Sequence, residues 1–168
     1  IFLRHYWFQT SAWDLGIFDQ AIYLISKGME PNSSLLGFHI LGDHGAFVLY
    51  PLGWLSNIYP SVNFLFIVQG LALSSAIFPL ERLGRYRRLS NNSLIASLSM
   101  LVLYPVVYNV AIFDFHPEVL AFPLVLEALL ILEKSQKKFS INLFIYLLFA
   151  LTCKVNISLL VCGIGIWQ

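Results

Sequence analysis

Asp14, His44, Asp114, His116, Glu118 and Lys154 are the residues of this 168-residue chain whose types and settings suit chemistry. Three of them share one aromatic-flanked element, Phe113-Asp114-Phe115-His116-Pro117-Glu118. Asp43-His44 lies between Gly42 and Gly45, where the missing side chains let backbone approach a ligand. Lys154 is the single charge in the 29 residues from Phe139 to Trp167, where a cation is costly unless paired or facing a wet cavity. Carboxylates and imidazoles are the usual proton carriers, and a cation offsets charge on a leaving anion.

Each residue also has a plainer reading. Asp14 is a candidate N-cap for the helix that follows it, and Asp114 or His116 for the turn at Pro117. Lys154 can snorkel to headgroups, and Glu127 can pair with Lys134. Asp14 and Asp19, five residues apart, diverge by about 140° on a regular helix and form no carboxylate pair. Carboxylates and imidazoles from several loops could converge on a divalent ion, but no compact ligand motif specifies a metal or any other cofactor. Nucleophile elbows, phosphate loops and dinucleotide glycine patterns are absent from the sequence.

The elements that must position these groups are apolar helices. The chain is 58% hydrophobic and 11% charged, with a mean hydropathy of +0.76. Soluble domains carry about 25% charged residues, so an ordinary cytosolic enzyme and a nucleic-acid module are both excluded. Uncharged runs over 62–80 and 93–113, and the run 117–132 interrupted only by Glu118 and Glu127, predict spans, with Pro105 kinking the second. The stretch 139–168 is too long for one span and predicts a truncated helical hairpin turning at Lys154-Val155-Asn156. The expected fold class is therefore all-α, a polytopic helical membrane protein, with the bilayer as partner and no nucleic acid. Cys153 and Cys162 read as buried small hydrophobes.

Seven of the ten Lys and Arg residues fall in 81–92 and 133–140. The positive-inside rule places both loops in the cytoplasm, and hence 1–61, Asp114, His116, Glu118 and Lys154 outside the cell membrane. Within 1–61, residues 14–28 have apolar positions at Leu15, Phe18, Ile22 and Ile25 and a stop at Gly28. This spacing predicts a short surface helix whose apolar side meets lipid or the bundle, and 46–58 a second surface or re-entrant helix. The chain opens without Met and closes in an apolar run, the expectation for a fragment of one transmembrane domain over 1–168.

Residues 10–21, with Asp14-Leu15-Gly16, then Asp43-His44 and the Phe113–Glu118 element, resemble the membrane protein family of domain of unknown function 2079, along nearly the whole chain. That family is itself similar to C-type glycosyltransferases, which transfer sugar from a polyprenyl-phosphate carrier and hold two surface helices in the first outer loop. The resemblance implies a first span before Ile1 and further spans after Gln168. It implies that Asp14 occupies the place of the fold's acidic residue near the start of the first outer loop, which makes it the catalytic candidate. His44, the Asp114–Glu118 element and Lys154 match the family pattern without a role that carries over, and their types and outer-face placement make His44, Asp114, His116, Glu118 and Lys154 substrate-binding candidates. This chain has Lys154-Val155-Asn156 where the family tends to carry acidic residues after the lysine. Two functions follow. One is an outer-face glycosyltransferase using a polyprenyl-phosphate sugar, with Asp14 as base and Lys154, Arg4 or His116 near the phosphate. The other is a non-catalytic transporter or assembly component whose same groups line a cavity.

Overall fold

The computed structural model describes residues 1–135 and 140–167. Lys137, Lys138 and Phe139, on which part of the 133–140 loop and hairpin expectations fall, lie outside the described residues. Among the described residues the chain is all-helical, with no strand beyond an isolated bridge between Asn32 and His39.

After a single turn, α1 (Phe2–Tyr6), the chain enters α2 (Asp14–Ser26). The capping expectation for Asp14 is corrected. Asp14 is the first helical residue, and the Ser11 hydroxyl accepts the N–H groups of Trp13 (3.1 Å) and Asp14 (3.3 Å) instead. Serine one turn upstream satisfies the orphan donors, so the Asp14 carboxylate is left for other partners. At the other end Gly28, at φ +69°, donates its N–H to the Ile25 carbonyl and stops the helix in the left-handed region that glycine tolerates.

Helix α2 buries Leu15, Ile17, Phe18, Ala21, Ile22 and Ile25 inside the bundle, so its apolar side meets protein. Its chief neighbour is α4 (Leu49–Leu55), which follows the one-turn α3 (Leu41–His44). Gly53 makes that approach possible, because a Cβ there would sit 2.5 Å from Ile25 Cγ2 and 3.3 Å from the Ile22 carbonyl oxygen.

Helices α5 (Asn63–Ser75) and α6 (Ile77–Tyr86) run on as one 24-residue apolar length, sufficient to cross a membrane. Next, α7 (Asn91–Leu103) and α8 (Pro105–Ile112) meet at 46°, so the break is at Pro105. Proline lacks the N–H that would continue the ladder and pushes Tyr104 to ψ 122°. A 3-10 turn, Pro117–Leu120, leads into α9 (Ala121–Lys134), so the 117–132 run is divided between a turn and a 14-residue helix. The shorter apolar helices α10 (Ile141–Leu151) and α11 (Ile157–Trp167) flank a turn containing Lys154. By length and composition, one described helix is long and apolar enough to cross a membrane, or two if α7 and α8 count as one broken span.

Two features give the bundle its polarity. Gln69 of α5 bonds the segment just before α9, while Arg82 and Arg87 pair with Glu127 and Glu133 farther along α9. The 63–86 length and α9 therefore run in the same direction. The pairing of Glu127 with Arg82, rather than with Lys134, follows from this packing of α6 against α9.

Candidate functional site

Residues 113–116 leave α8 in extended conformation and cross the core between α2 and α5. Phe115 is fully buried there, its ring edge-on to Phe18 at 5.8 Å. Gln69, 1% exposed within α5, holds this segment in place. Its Nε2 donates to the carbonyls of Val110 and Phe113, both at 2.9 Å, and its Oε1 accepts the His116 N–H at 3.4 Å. The Phe113 carbonyl, freed at the end of α8, would otherwise be orphaned among apolar side chains, whereas that of Val110 also accepts the Phe113 N–H.

The fixed segment delivers its two polar side chains to different partners. Asp114 is buried, and its Oδ2 accepts the Ser11 N–H at 2.6 Å, tying the start of α2 to the segment. Its Oδ1 is buried without a hydrogen-bond partner among the described residues. His116 stacks on Phe113 (centroids 5.5 Å, 30° between planes) and meets the Phe18 ring edge-on at 5.7 Å. Its Nδ1 donates to the Asp114 carbonyl at 3.0 Å, and its Nε2 lies 3.9 Å from Asp14 Oδ1. Neither Asp114 nor His116 caps the Pro117 turn with its side chain.

One turn later Glu118 Oε1 accepts from Lys154 Nζ at 2.7 Å, joining the α9 entry to the turn between α10 and α11. Lys154 is thus paired, which removes the cost of an isolated cation. Glu118 Oε2 is buried without a partner among the described residues.

His44 completes the group. Its ring meets Phe18 edge-on at 4.9 Å, so Phe18 touches both candidate imidazoles. His44 Nδ1 lies 2.6 Å from Asp43 Oδ2, at ion-pair distance but without the alignment of a hydrogen bond. Burial pushes the His44 imidazole below its ordinary value; Asp43 opposes that, and Lys154 adds to it. The flanking glycine serves protein rather than ligand. Gly45, at φ +58°, lets the turn close against Val155, whose N–H donates to the His44 carbonyl at 3.2 Å.

The six sequence candidates therefore fall in two adjoining groups: Asp14, Asp114 and, through Phe18, His44 gather around His116, while Glu118 pairs with Lys154. A cavity of about 320 Å³ opens beside them, lined by Asn109, Phe113, Asp114, His116 and Glu118. Of the six candidates Asp114, His116 and Glu118 line this cavity, and Asp14 stands behind them as the neighbour of His116. Asp19 stands apart in a separate cleft with Tyr23 and Lys27, and burial raises its carboxyl above the usual value against the pull of His5. Arg4 is engaged with backbone, donating to the carbonyls of Ile112 (2.6 Å) and Gln9 (2.9 Å). Among the described residues no three His, Cys, Asp or Glu side chains are placed to hold a metal ion.

Sequence reasoning passed over Gln69, Ser11 and Phe18. Only Gln69 gave a signal: it is an amide in the middle of the uncharged run 62–80, where a polar group must find partners.

No curated protein and no solved structure matches this chain. One family model does, over residues 4–168, and the chain accordingly belongs to the predicted membrane protein family of domain of unknown function 2079.

Proposed function

We propose that this chain is part of a polytopic cell-membrane glycosyltransferase that moves a sugar from a polyprenyl-phosphate donor to a hydroxyl acceptor at the outer face. The observation that carries the reading is the approach of Asp14 to His116, two proton-handling groups 102 positions apart, the second of which lines a cavity. Glycosyl transfer to a hydroxyl needs a group that draws off the hydroxyl proton and a cation near the departing phosphate. Asp14 and His116 answer the first need. Lys154 answers the second, tempered by its pairing with Glu118.

The sidedness rests on charge. Arg82, Arg85, Arg87 and Arg88 lie at the opposite end of the 63–86 length from Gln69 and the site, the distribution expected if that end is cytoplasmic. The residues 1–61 and the site then face outward.

A transport reading draws on the 46° break at Pro105, since broken helices are common in transporters. The two part on one experiment. Full-length protein in lipid nanodiscs is given radiolabelled polyprenyl-phosphate sugars and a mixture of hydroxyl acceptors. The enzyme reading expects labelled product from the native protein and at least about tenfold less from Asp14→Asn at equal expression. Product formation unaffected by Asp14→Asn, or none from the native protein, would overturn it.

A further inference from the structure

The Asp14–His116 contact leaves open which of the two groups receives a proton, and the ring's other contacts decide it. The carbonyl oxygen of Asp114 can only accept a hydrogen bond, so Nδ1, 3.0 Å away, must carry a hydrogen. In a neutral ring the lone pair is then on Nε2. Nε2 is the atom turned toward Asp14, at 3.9 Å. That separation is too long for a hydrogen bond and short enough for a carboxylate to stabilise a positive ring.

The ring has little freedom to present anything else. Phe113 covers one face, Phe18 abuts it edge-on, and Gln69 holds the backbone N–H of the same residue. Gln69 also fastens both carbonyls that precede it, so a buried amide from α5 sets the height of His116 over α2. Asp114 and Glu118 line the same cavity as the ring, Glu118 paired with Lys154, and His44 interacts with His116 from the other side of Phe18.

We propose that His116 Nε2 is the proton acceptor of the site, that Asp14 is the counter-charge to the resulting imidazolium, and that the group seated at Nε2 is a hydroxyl. A lone pair beside a carboxylate repels an anionic group, so the donor's phosphate binds elsewhere and the acceptor's O–H points here. The step, which rests on the glycosyl-transfer reading, balances as follows. The O–H bond breaks and its proton goes to Nε2. The oxygen's electron pair forms a bond to the anomeric carbon, while the carbon–oxygen bond to phosphate breaks and its electron pair leaves with the phosphate. Gln69 is a positioning residue acting through His116.

The test uses the full-length protein in nanodiscs with ¹⁵N-labelled histidine, the His116 signals being identified by their loss in His116→Gln. The expected spectrum of the neutral ring has a protonated Nδ1 and a bare Nε2, and Gln69→Met mixes the two tautomers while the protein stays folded. A neutral ring protonated on Nε2 overturns the proposal, whatever the transfer assay shows. In that assay His116→Gln should lower the rate about 10²–10⁴-fold and Asp14→Asn about 10- to 100-fold. The reverse order would also overturn it. Transfer absent from native protein whose Nε2 is bare defeats the glycosyl reading and leaves the hydroxyl seat standing.

Discussion

The site end and the arginine end of the bundle both carry a network of charges, and they hold them differently. At the arginine end the pairs are simple. Arg85 meets Glu81 one turn away at 2.8 Å, Arg87 meets Glu133 at 2.6 Å, and Arg82 meets Glu127. The three arginine side chains are 48–63% exposed, so water and salt screen much of the attraction. At the site end Lys154 and His116 are each 21% exposed, and two carboxylate oxygens are buried without partners among the described residues. A buried acceptor left unsatisfied costs about 1–3 kcal/mol, so the site end forgoes stability that the arginine end does not.

Breaking the site end should therefore cost more than breaking the arginine end. The largest expected effect is from Gln69→Leu. It removes the side-chain partner of the Phe113 carbonyl and of the His116 N–H, while the Val110 carbonyl keeps the Phe113 N–H, and should cost about 2–4 kcal/mol in a denaturant titration of the reconstituted protein. Lys154→Met leaves Glu118 unpaired and should cost about 1–3 kcal/mol, with part recovered in the double variant with Glu118→Gln.

A pH scan gives a smaller, signed effect. Burial depresses His44 in the folded chain, so below about 6.5 the unfolded chain takes the proton first. Stability present above that pH is lost as pH falls through it toward the folded value. A melting curve series from pH 7.5 to 5.5 should show the decline, and His44→Gln should flatten it. The smallest effect is expected at the other end, where Arg87→Ala should change stability by less than about 1 kcal/mol and still less in high salt.

Much of the local structure was legible in the sequence because its causes are local. Gly28 ends α2 and Pro105 breaks the second long run, through their own backbone constraints. The all-helical class followed from long uncharged runs. Pairings between distant segments were not legible, because one sequence does not say which helices adjoin. Glu127 has a plausible partner in Lys134 one to two turns away, yet α6 brings Arg82 to it. Asp14 sits at a helix start, yet Ser11 performs the capping and the carboxylate turns toward His116. The six candidate residues could be named from type and setting. Their joining through Phe18 and Gln69 depends on the core.

The central claim is that residues 14 and 116 face each other, and proximity tests it most directly. Asp14→Cys and His116→Cys can be combined in full-length protein lacking Cys153 and Cys162, and treated in membranes with a short bifunctional thiol reagent. Rapid intramolecular cross-linking is expected of this pair and none between Asp14→Cys and Arg87→Cys. Equal behaviour of the two pairs, with all single cysteines reactive, would contradict it.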